Sequence, residues 1–348
     1  MRELKREPLM KKNGETQHHL PLTLKAQIGE VEQVINEYPM KVNPYYLRLI
    51  KEKGDGIWNQ CIPDMREITE NSGVADPLHE EIDSPIPGLV LRYPDRVLLL
   101  VSNVCAMYCR FCTRKRRTGN KYETMTDENF REVLKYIKTH NEIRDVLLSG
   151  GDPLMLSNER LEYFIEKLRA IDHVEIIRIG TRVPCVYPLR VEEKLCKMLR
   201  KYHPLYINVH FNHPAEITPE STKACEMLAD AGIPLGNQSV LLKGVNDEPE
   251  IMKELVLKLL KIRVKPYYIY IPDLVRGTCH FRTSIAAGLK IIDSIRGWTS
   301  GMAVPHLVID IEGGGGKIPL LPGYLVSKEG KNYVFRNYRG KLFHYTDI

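Results

Sequence analysis

The chain has 348 residues, of which 43% are hydrophobic and 27% charged, with a formal net charge of 50 − 44 = +6. This is the composition of an ordinary folded globular protein; it excludes a disordered or low-complexity chain, and no apolar run approaches the roughly 20 residues of a membrane helix. The charge permits acidic ligands without requiring them, and the basic start Met1–Arg6 leads into polar sequence rather than an apolar leader, so the chain is expected in the cytoplasm. In that reducing compartment its eight cysteines point to metal or redox use rather than disulfides.

Residues 1–95 read as a helical and extended lead-in. Ile28, Val31, Val34, Ile35 and Tyr38 recur at helical spacing, and Asn43-Pro44 pairs a capping residue with a first-turn proline to open a second helix that ends near Gly54. Pro77, Pro85, Pro87 and Pro94 make residues 71–96 an extended crossing segment.

From Val97 the rhythm changes to short apolar runs alternating with amphipathic helices. Strands are predicted at Val97–Val101, Val146–Leu148, Ile176–Ile179, Tyr206–Val209, Ser239–Leu242 and Tyr267–Ile271. Between them lie the helical patterns Phe130/Val133/Leu134/Ile137 and Leu161/Phe164/Ile165/Leu168, and a helix framed by Thr218, Pro219 and Gly232. Six unbroken βα units predict an α/β fold, a partial TIM-type (β/α)6 barrel over residues 96–300, followed by a short C-terminal segment over 301–348.

Unusual polar residues follow each predicted strand. Cys105, Cys109 and Cys112 follow the first, Ser149-Gly150-Gly151-Asp152-Pro153 the second, and Arg178, Thr181 and Arg182 mark the end of the third. His210, Asn212 and His213 follow the fourth, Gln238 lies at the edge of the fifth, and Asp273 follows the sixth. The C-terminal strand ends of an α/β barrel build its site, so these groups are expected to converge on one mouth.

Cys105-Ala-Met-Tyr-Cys109-Arg-Phe-Cys112 spaces three thiols at four and three residues. A structural zinc site wants four ligands, usually as two pairs, and the chain has no second such pair. Three thiolates on a four-iron cluster would leave one iron open for another ligand. Further on, Gly313-Gly314-Gly315-Gly316-Lys317 follows the apolar run Val304–Ile311. A phosphate loop needs Ser or Thr after the lysine and an opening helix, whereas Ile318-Pro319 follows here. Four glycines allow close backbone approach and present an amine to something bulky and planar; a Schiff base with pyridoxal phosphate fits, and so does a plain surface turn.

The CxxxCxxC string after the first barrel strand resembles the radical S-adenosylmethionine superfamily, and Ser149, Gly150, Gly151 and Asp152 look like its glycine-rich cofactor strand. Beyond this, Arg92–Arg96, Cys109–Arg114, His210–Pro214, Lys265–Tyr270, His280–Thr283 and Asp310–Lys317 match, in order, the lysine 2,3-aminomutases, a resemblance running from about Asp76 to Tyr345. It implies an isomerase with a 4Fe-4S cluster on Cys105, Cys109 and Cys112, S-adenosylmethionine, and pyridoxal 5′-phosphate held by Lys317. The reaction it implies moves the α-amino group of L-lysine to the β-carbon through a 5′-deoxyadenosyl radical and a coenzyme aldimine.

Site roles follow from the same resemblance. Arg92 would clamp the coenzyme phosphate and Tyr270 pack near its ring, while His210, Asn212 and Gln238 would face S-adenosylmethionine. Arg114 would take the substrate α-carboxylate as a bidentate fork, and Asp273 and Asp310 its ε-ammonium, because a buried ammonium needs partners. An amino-acid substrate, an electron donor such as a flavodoxin or ferredoxin, and a homo-oligomer (dimer or tetramer) are implied, with no nucleic-acid or membrane partner. Longer family members carry a cysteine-rich zinc-binding extension that is not expected here, since no cysteine follows Cys279. Pro272 and Glu312 depart from the usual strings and leave arginine or ornithine open as alternatives to lysine. The run Arg114–Arg117 likewise leaves open a radical enzyme acting on RNA or a non-enzymatic binding module, although neither uses Lys317.

Overall fold

A computed structural model of the chain describes residues 28–70, 72–119, 125–311 and 315–348. Met1–Arg6 and, within the glycine string, Glu312, Gly313 and Gly314 lie outside the described residues. The main sheet contains β1 (Leu89–Tyr93), β2 (Arg96–Ser102), β3 (Asp145–Gly150), β4 (Ile176–Thr181), β5 (Leu205–Val209), β6 (Leu235–Val240), β7 (Val264–Tyr270), β8 (His306–Ile311) and β9 (Gly316–Leu320). Its spatial order is its chain order; β2 to β8 run parallel, while β1 and β9 are antiparallel edge strands.

Helices follow the six strands β2 to β7: Asp127–Thr139, Asn158–Arg169, Glu193–Leu199, Pro219–Asp230, Pro249–Lys261 and Ile285–Ile295. Several start where a side-chain oxygen caps the free backbone N–H groups: Thr126 accepts from Asn129, Ser157 from Arg160, Thr218 from Ser221 and Ser284 from Ala287. The result is the partial (β/α)6 barrel expected, with a seventh parallel strand, β8, supplied by the C-terminal segment. Among the described residues no ladder joins β9 back to β1; the seam is spanned by side chains, with Tyr93 Oη accepting from the Lys317 N–H at 2.9 Å and Arg92 meeting Asp310.

The strands alternate sharply. Val146, Leu148, Ile177, Ile179, Ile207 and Val209 are fully buried against helix residues such as Phe130, Val133, Phe164 and Leu168; each contributes roughly 1.5–3 kcal/mol. The alternate residues, among them Asp145, Ser149, Arg178, Gln238, Tyr268, Tyr270 and Asp310, face an inner cavity. Parallel sheets usually bury apolar residues on both faces, so a polar inner face marks a binding chamber.

Three elements differ from expectation: the helix opened by Asn43-Pro44 ends at Leu47 instead of continuing to near Gly54, the chain then running on in turns. The fifth strand was predicted at Ser239–Leu242 and lies at Leu235–Val240, because its outward Asn237 and Ser239 bond to the Phe211 backbone instead of making an apolar run. Within the proline-rich segment 71–96, Leu89–Tyr93 forms a strand that pairs with β2. After β9, β10 (Leu325–Glu329), β11 (Asn332–Arg336) and β12 (Leu342–Thr346) form a separate antiparallel meander. Trp298 packs edge-to-face on Tyr338 of its last turn at 5.1 Å.

Candidate active site

The loop carrying the three cysteines leaves β2 and is sewn to the lead-in. Tyr108 N–H donates to Lys41 O at 2.8 Å, Arg110 N–H to Gln60 O at 3.0 Å, and the Lys41 ammonium to Cys105 O. Beneath it, the fully buried Glu67 holds two cations. Arg110 donates through Nε at 2.9 Å and through Nη2, and Lys115 Nζ donates at 2.6 Å. Burial pushes Glu67 up, but Arg110 and Lys115 outweigh it and hold the carboxyl below its usual range. Burial pulls Lys115 down to about 8 against the opposing charge of Glu67.

Cys105, Cys109 and Cys112 are half-buried, whereas Cys61, Cys185, Cys196 and Cys225 are buried in the core. Burial raises Cys105 and Cys109, and each is raised further by neighbouring cysteines of the loop. Arg182 donates to Cys109 Sγ at 2.8 Å. No group of His, Cys, Asp and Glu among the described residues is compact enough for a single metal ion. Three thiols on one turn, compensated by buried cations, suit an anionic cluster, which spans more space than one ion.

The glycine strand presses on this loop. A Cβ at Gly150, where φ is +127°, would lie 2.2 Å from Ser102 O, and one at Gly151 would lie 2.7 Å from the Val104 backbone. Asp152 is turned into the protein, accepting from Thr181 Oγ1 at 2.7 Å and from the N–H groups of Leu154, Arg182 and Val183. Burial pushes it up to about 6 against these donors.

A cavity of about 680 Å³ fills the barrel mouth, a volume suited to cofactor and substrate together. Its lining brings together Arg92, Arg114, Ser149, His210, Gln238, Tyr270, Asp273, Asp310 and Lys317. Phe111 and Thr113, on either side of Cys112, also line it; the three cysteines, Gly150, Gly151, Asp152 and Asn212 do not. Asn212 is fully buried behind the wall, bonded to Gln60 and Val240 N–H and touching His210 Nε2 at 3.1 Å. Burial, then Arg182, pulls His210 down to about 3, so it is neutral.

At the other end Lys317 on β9 stands opposite Asp310 on β8, with Nζ 2.8 Å from Oδ2. Arg92 reaches Asp310 and Asp83 at 3.4 Å each. The Lys317 amine lies 5.7 Å from the Tyr270 ring centre and 6.0 Å from that of Tyr93. An amine, a nearby guanidinium and two aromatic rings suit a phosphorylated pyridine aldehyde. Burial, then the charge of Asp310, pushes Asp273 up to about 7. The fork of Arg114 is engaged by Glu80, through Nε at 2.9 Å and Nη2 at 2.6 Å, leaving Nη1 for Gly150 O and Ser149 Oγ.

Sequence reasoning missed Glu67, Glu80, Gln60 and Glu216, the last a buried acid paired with Arg182 at 2.8 Å, and took Lys115 only as part of the basic run Arg114–Arg117. Isolated acids and amides carry no spacing signal, although Arg110, inside the cysteine string, was a visible lead.

The family model described as the radical SAM superfamily matches residues 99–256, and that described as lysine-2,3-aminomutase matches residues 292–348. An L-lysine 2,3-aminomutase of Clostridium subterminale is 51% identical over 96% of this chain and 80% of its own length. One of Fusobacterium nucleatum subsp. nucleatum is 52% identical over 91% and 75%. A glutamate 2,3-aminomutase of Clostridioides difficile is 46% identical over 91% and 76%. The chain belongs to the lysine 2,3-aminomutase family, radical S-adenosylmethionine isomerases that use a 4Fe-4S cluster, S-adenosylmethionine and pyridoxal phosphate.

Proposed function

We propose that this enzyme converts L-lysine to β-lysine. The observation that carries this reading is the pair Asp273 and Asp310 in the same cavity as Arg114: two acids for a cationic side chain and a fork for an α-carboxylate. A glutamate side chain would add a third carboxylate beside two that already repel.

When bound, the cluster and S-adenosylmethionine supply a 5′-deoxyadenosyl radical, and pyridoxal phosphate supplies the π-bond across which nitrogen migrates. Cys105, Cys109 and Cys112 ligate the cluster. Ser149, Gly150 and Gly151 offer their strand end to S-adenosylmethionine, with Gln238 and neutral His210 on the facing wall; Asp152 and Asn212 shape that wall through their bonds to protein groups. Lys317 anchors the coenzyme, Arg92 pairs with its phosphate, and Tyr270 packs by its ring. Arg114 binds the substrate carboxylate by exchanging it for Glu80. Asp273 loses its proton when the substrate ammonium arrives, since a cation favours the charged carboxylate.

Among the described residues no helix is long and apolar enough to cross a membrane. The reading extends to a cytoplasmic enzyme supplied with electrons by a flavodoxin or ferredoxin. It also extends to a homo-oligomer, supported by Leu325, Leu342, Phe343 and Tyr345, each more than half exposed on the C-terminal meander.

The test is an anaerobic assay of lysine, arginine, ornithine and glutamate with both small-molecule cofactors and dithionite, followed by chromatography of β-isomers. Lysine is expected as the preferred substrate, and Lys317→Ala is expected to lose the coenzyme absorption band while keeping the cluster band. Preferred turnover of another amino acid, or a coenzyme band that survives Lys317→Ala, overturns the reading.

A further inference from the structure

Arg182 stands at the end of β4 and is 8% exposed. Its Nη2 donates to Glu216 Oε1 at 2.8 Å and Gln60 Oε1 at 2.5 Å, its Nη1 to Cys109 Sγ at 2.8 Å, and its buried Nε has no hydrogen-bond partner among the described residues. The guanidinium lies 5.1 Å from the ring centre of Phe111, itself in the cysteine loop, and 5.7 Å from that of Tyr46. We propose that Arg182 sets the reduction potential of the cluster by directing its positive edge at the Cys109 sulfur. This rests on the reading of Cys109 as a cluster ligand.

The charge distribution gives the direction. Glu216 is the counter-ion of Arg182, but its oxygens also accept from Tyr46 Oη at 2.5 Å and from the N–H groups of Asn212 and His213 at 2.6 and 2.9 Å. Its negative charge is therefore shared among four donors, with Tyr46 on the same Oε1 that Arg182 holds and the two N–H groups on Oε2, so Arg182 is compensated only in part. The Nη1 edge of Arg182 thus faces sulfur with no carboxylate hydrogen-bonded to it. Arg182 is thus a charged donor hydrogen-bonded to this sulfur.

Reduction adds one electron to the cluster and breaks no bond, and the added negative charge is delocalised onto the sulfurs. A charged hydrogen bond to a ligand sulfur in a dry site stabilises the reduced form and raises the potential. Arg182 acts here as a positioning and tuning residue; nothing places it against substrate.

The experiment is an anaerobic titration with dithionite, followed by electron paramagnetic resonance of the reduced cluster, on the wild type and three variants. Arg182→Gln removes the charge, and Gln60→Glu adds an anion beside Nη2; both are expected to lower the potential. Glu216→Gln removes the counter-ion and is expected to raise it. Each shift is expected to be at least tenfold in the reduction equilibrium, 59 mV for one electron. A purely structural role would change yield or stability and leave the potential where it is. Iron and sulfide content is measured first: a wild type without iron, or a Cys109→Ala protein with its full iron, refutes the cluster reading itself. With the cluster present, an unmoved potential in Arg182→Gln, or equal signs in Gln60→Glu and Glu216→Gln, overturns the tuning role. If Arg182→Gln does not accumulate, the opposite signs expected of the other two decide.

Discussion

Replacing Glu67 with Gln should be among the most destabilising single-atom changes available to this chain. Glu67 has no exposed side-chain surface, and its two cations, Arg110 and Lys115, are 2% and 4% exposed. The substitution leaves both buried, turns an amide N–H toward one of them, and keeps only their neutral partners: Pro39 O and Tyr38 O for Arg110, and Arg110 O and Gly277 O for Lys115. Breaking a buried pair by removing one member costs about 3–5 kcal/mol, a large share of the roughly 5–15 kcal/mol that holds a domain together. Urea unfolding followed by fluorescence of the buried Trp58 reads the loss. Glu193→Gln, in a pair where both side chains are more than 70% exposed, serves as control and should move nothing measurable. The pH dependence has a definite sign: the Glu67 carboxyl is held low in the fold, so its contribution is present above its unfolded pKa and lost as pH falls through its folded one. The gap between wild type and Glu67→Gln should therefore close in acid. A loss below about 1 kcal/mol at neutral pH, or a gap that is constant with pH, would refute the account of the lead-in as an ionic anchor for the cysteine loop.

Asp310→Asn should raise the KM for lysine strongly, with about 3–5 kcal/mol lost if the ammonium is left without that partner; an unchanged KM in steady-state assays places the ammonium elsewhere. Because Asp273 carries its proton up to about pH 7, lysine binding should tighten as pH rises from 6 to 8, and Asp273→Asn should flatten that profile, as calorimetry can show. Gly150→Ala forces a Cβ onto Ser102 O at a left-handed backbone position; the variant should lose most of its iron on reconstitution, and full iron loading would show that the glycine is dispensable.

The barrel was legible because its signal is local. Runs such as Val97–Val101 and Ile176–Ile179 and the caps at Thr218 and Gly232 are contiguous in the chain, and the cysteine and lysine strings have spacing that few other functions produce. What was illegible depends on distant pairing. Asp152 reads as a cofactor residue in its string, yet its oxygens turn to Thr181, Arg182 and Val183 some thirty residues on. Arg114 reads as a free fork until Glu80 meets it. Nothing near Glu67 announces that it lies under a loop more than forty residues away, because a lone acid in a short helix looks the same whether solvated or buried.

The seam between β1 and β9 gives the barrel a door. Parting any other neighbours in the main sheet breaks a row of backbone hydrogen bonds, whereas what crosses between these edges, among the described residues, is side-chain contact: the Tyr93–Lys317 hydrogen bond and the long Arg92–Asp310 pair, roughly 1–3 kcal/mol together, and the packing of the Tyr93 ring against Gly316 and Lys317. The residues involved are the anchor lysine and three of its companions, Arg92, Tyr93 and Asp310. Opening at that seam would free the anchor lysine for a coenzyme while the ladders of β2, which leads into the cysteine loop, stay whole.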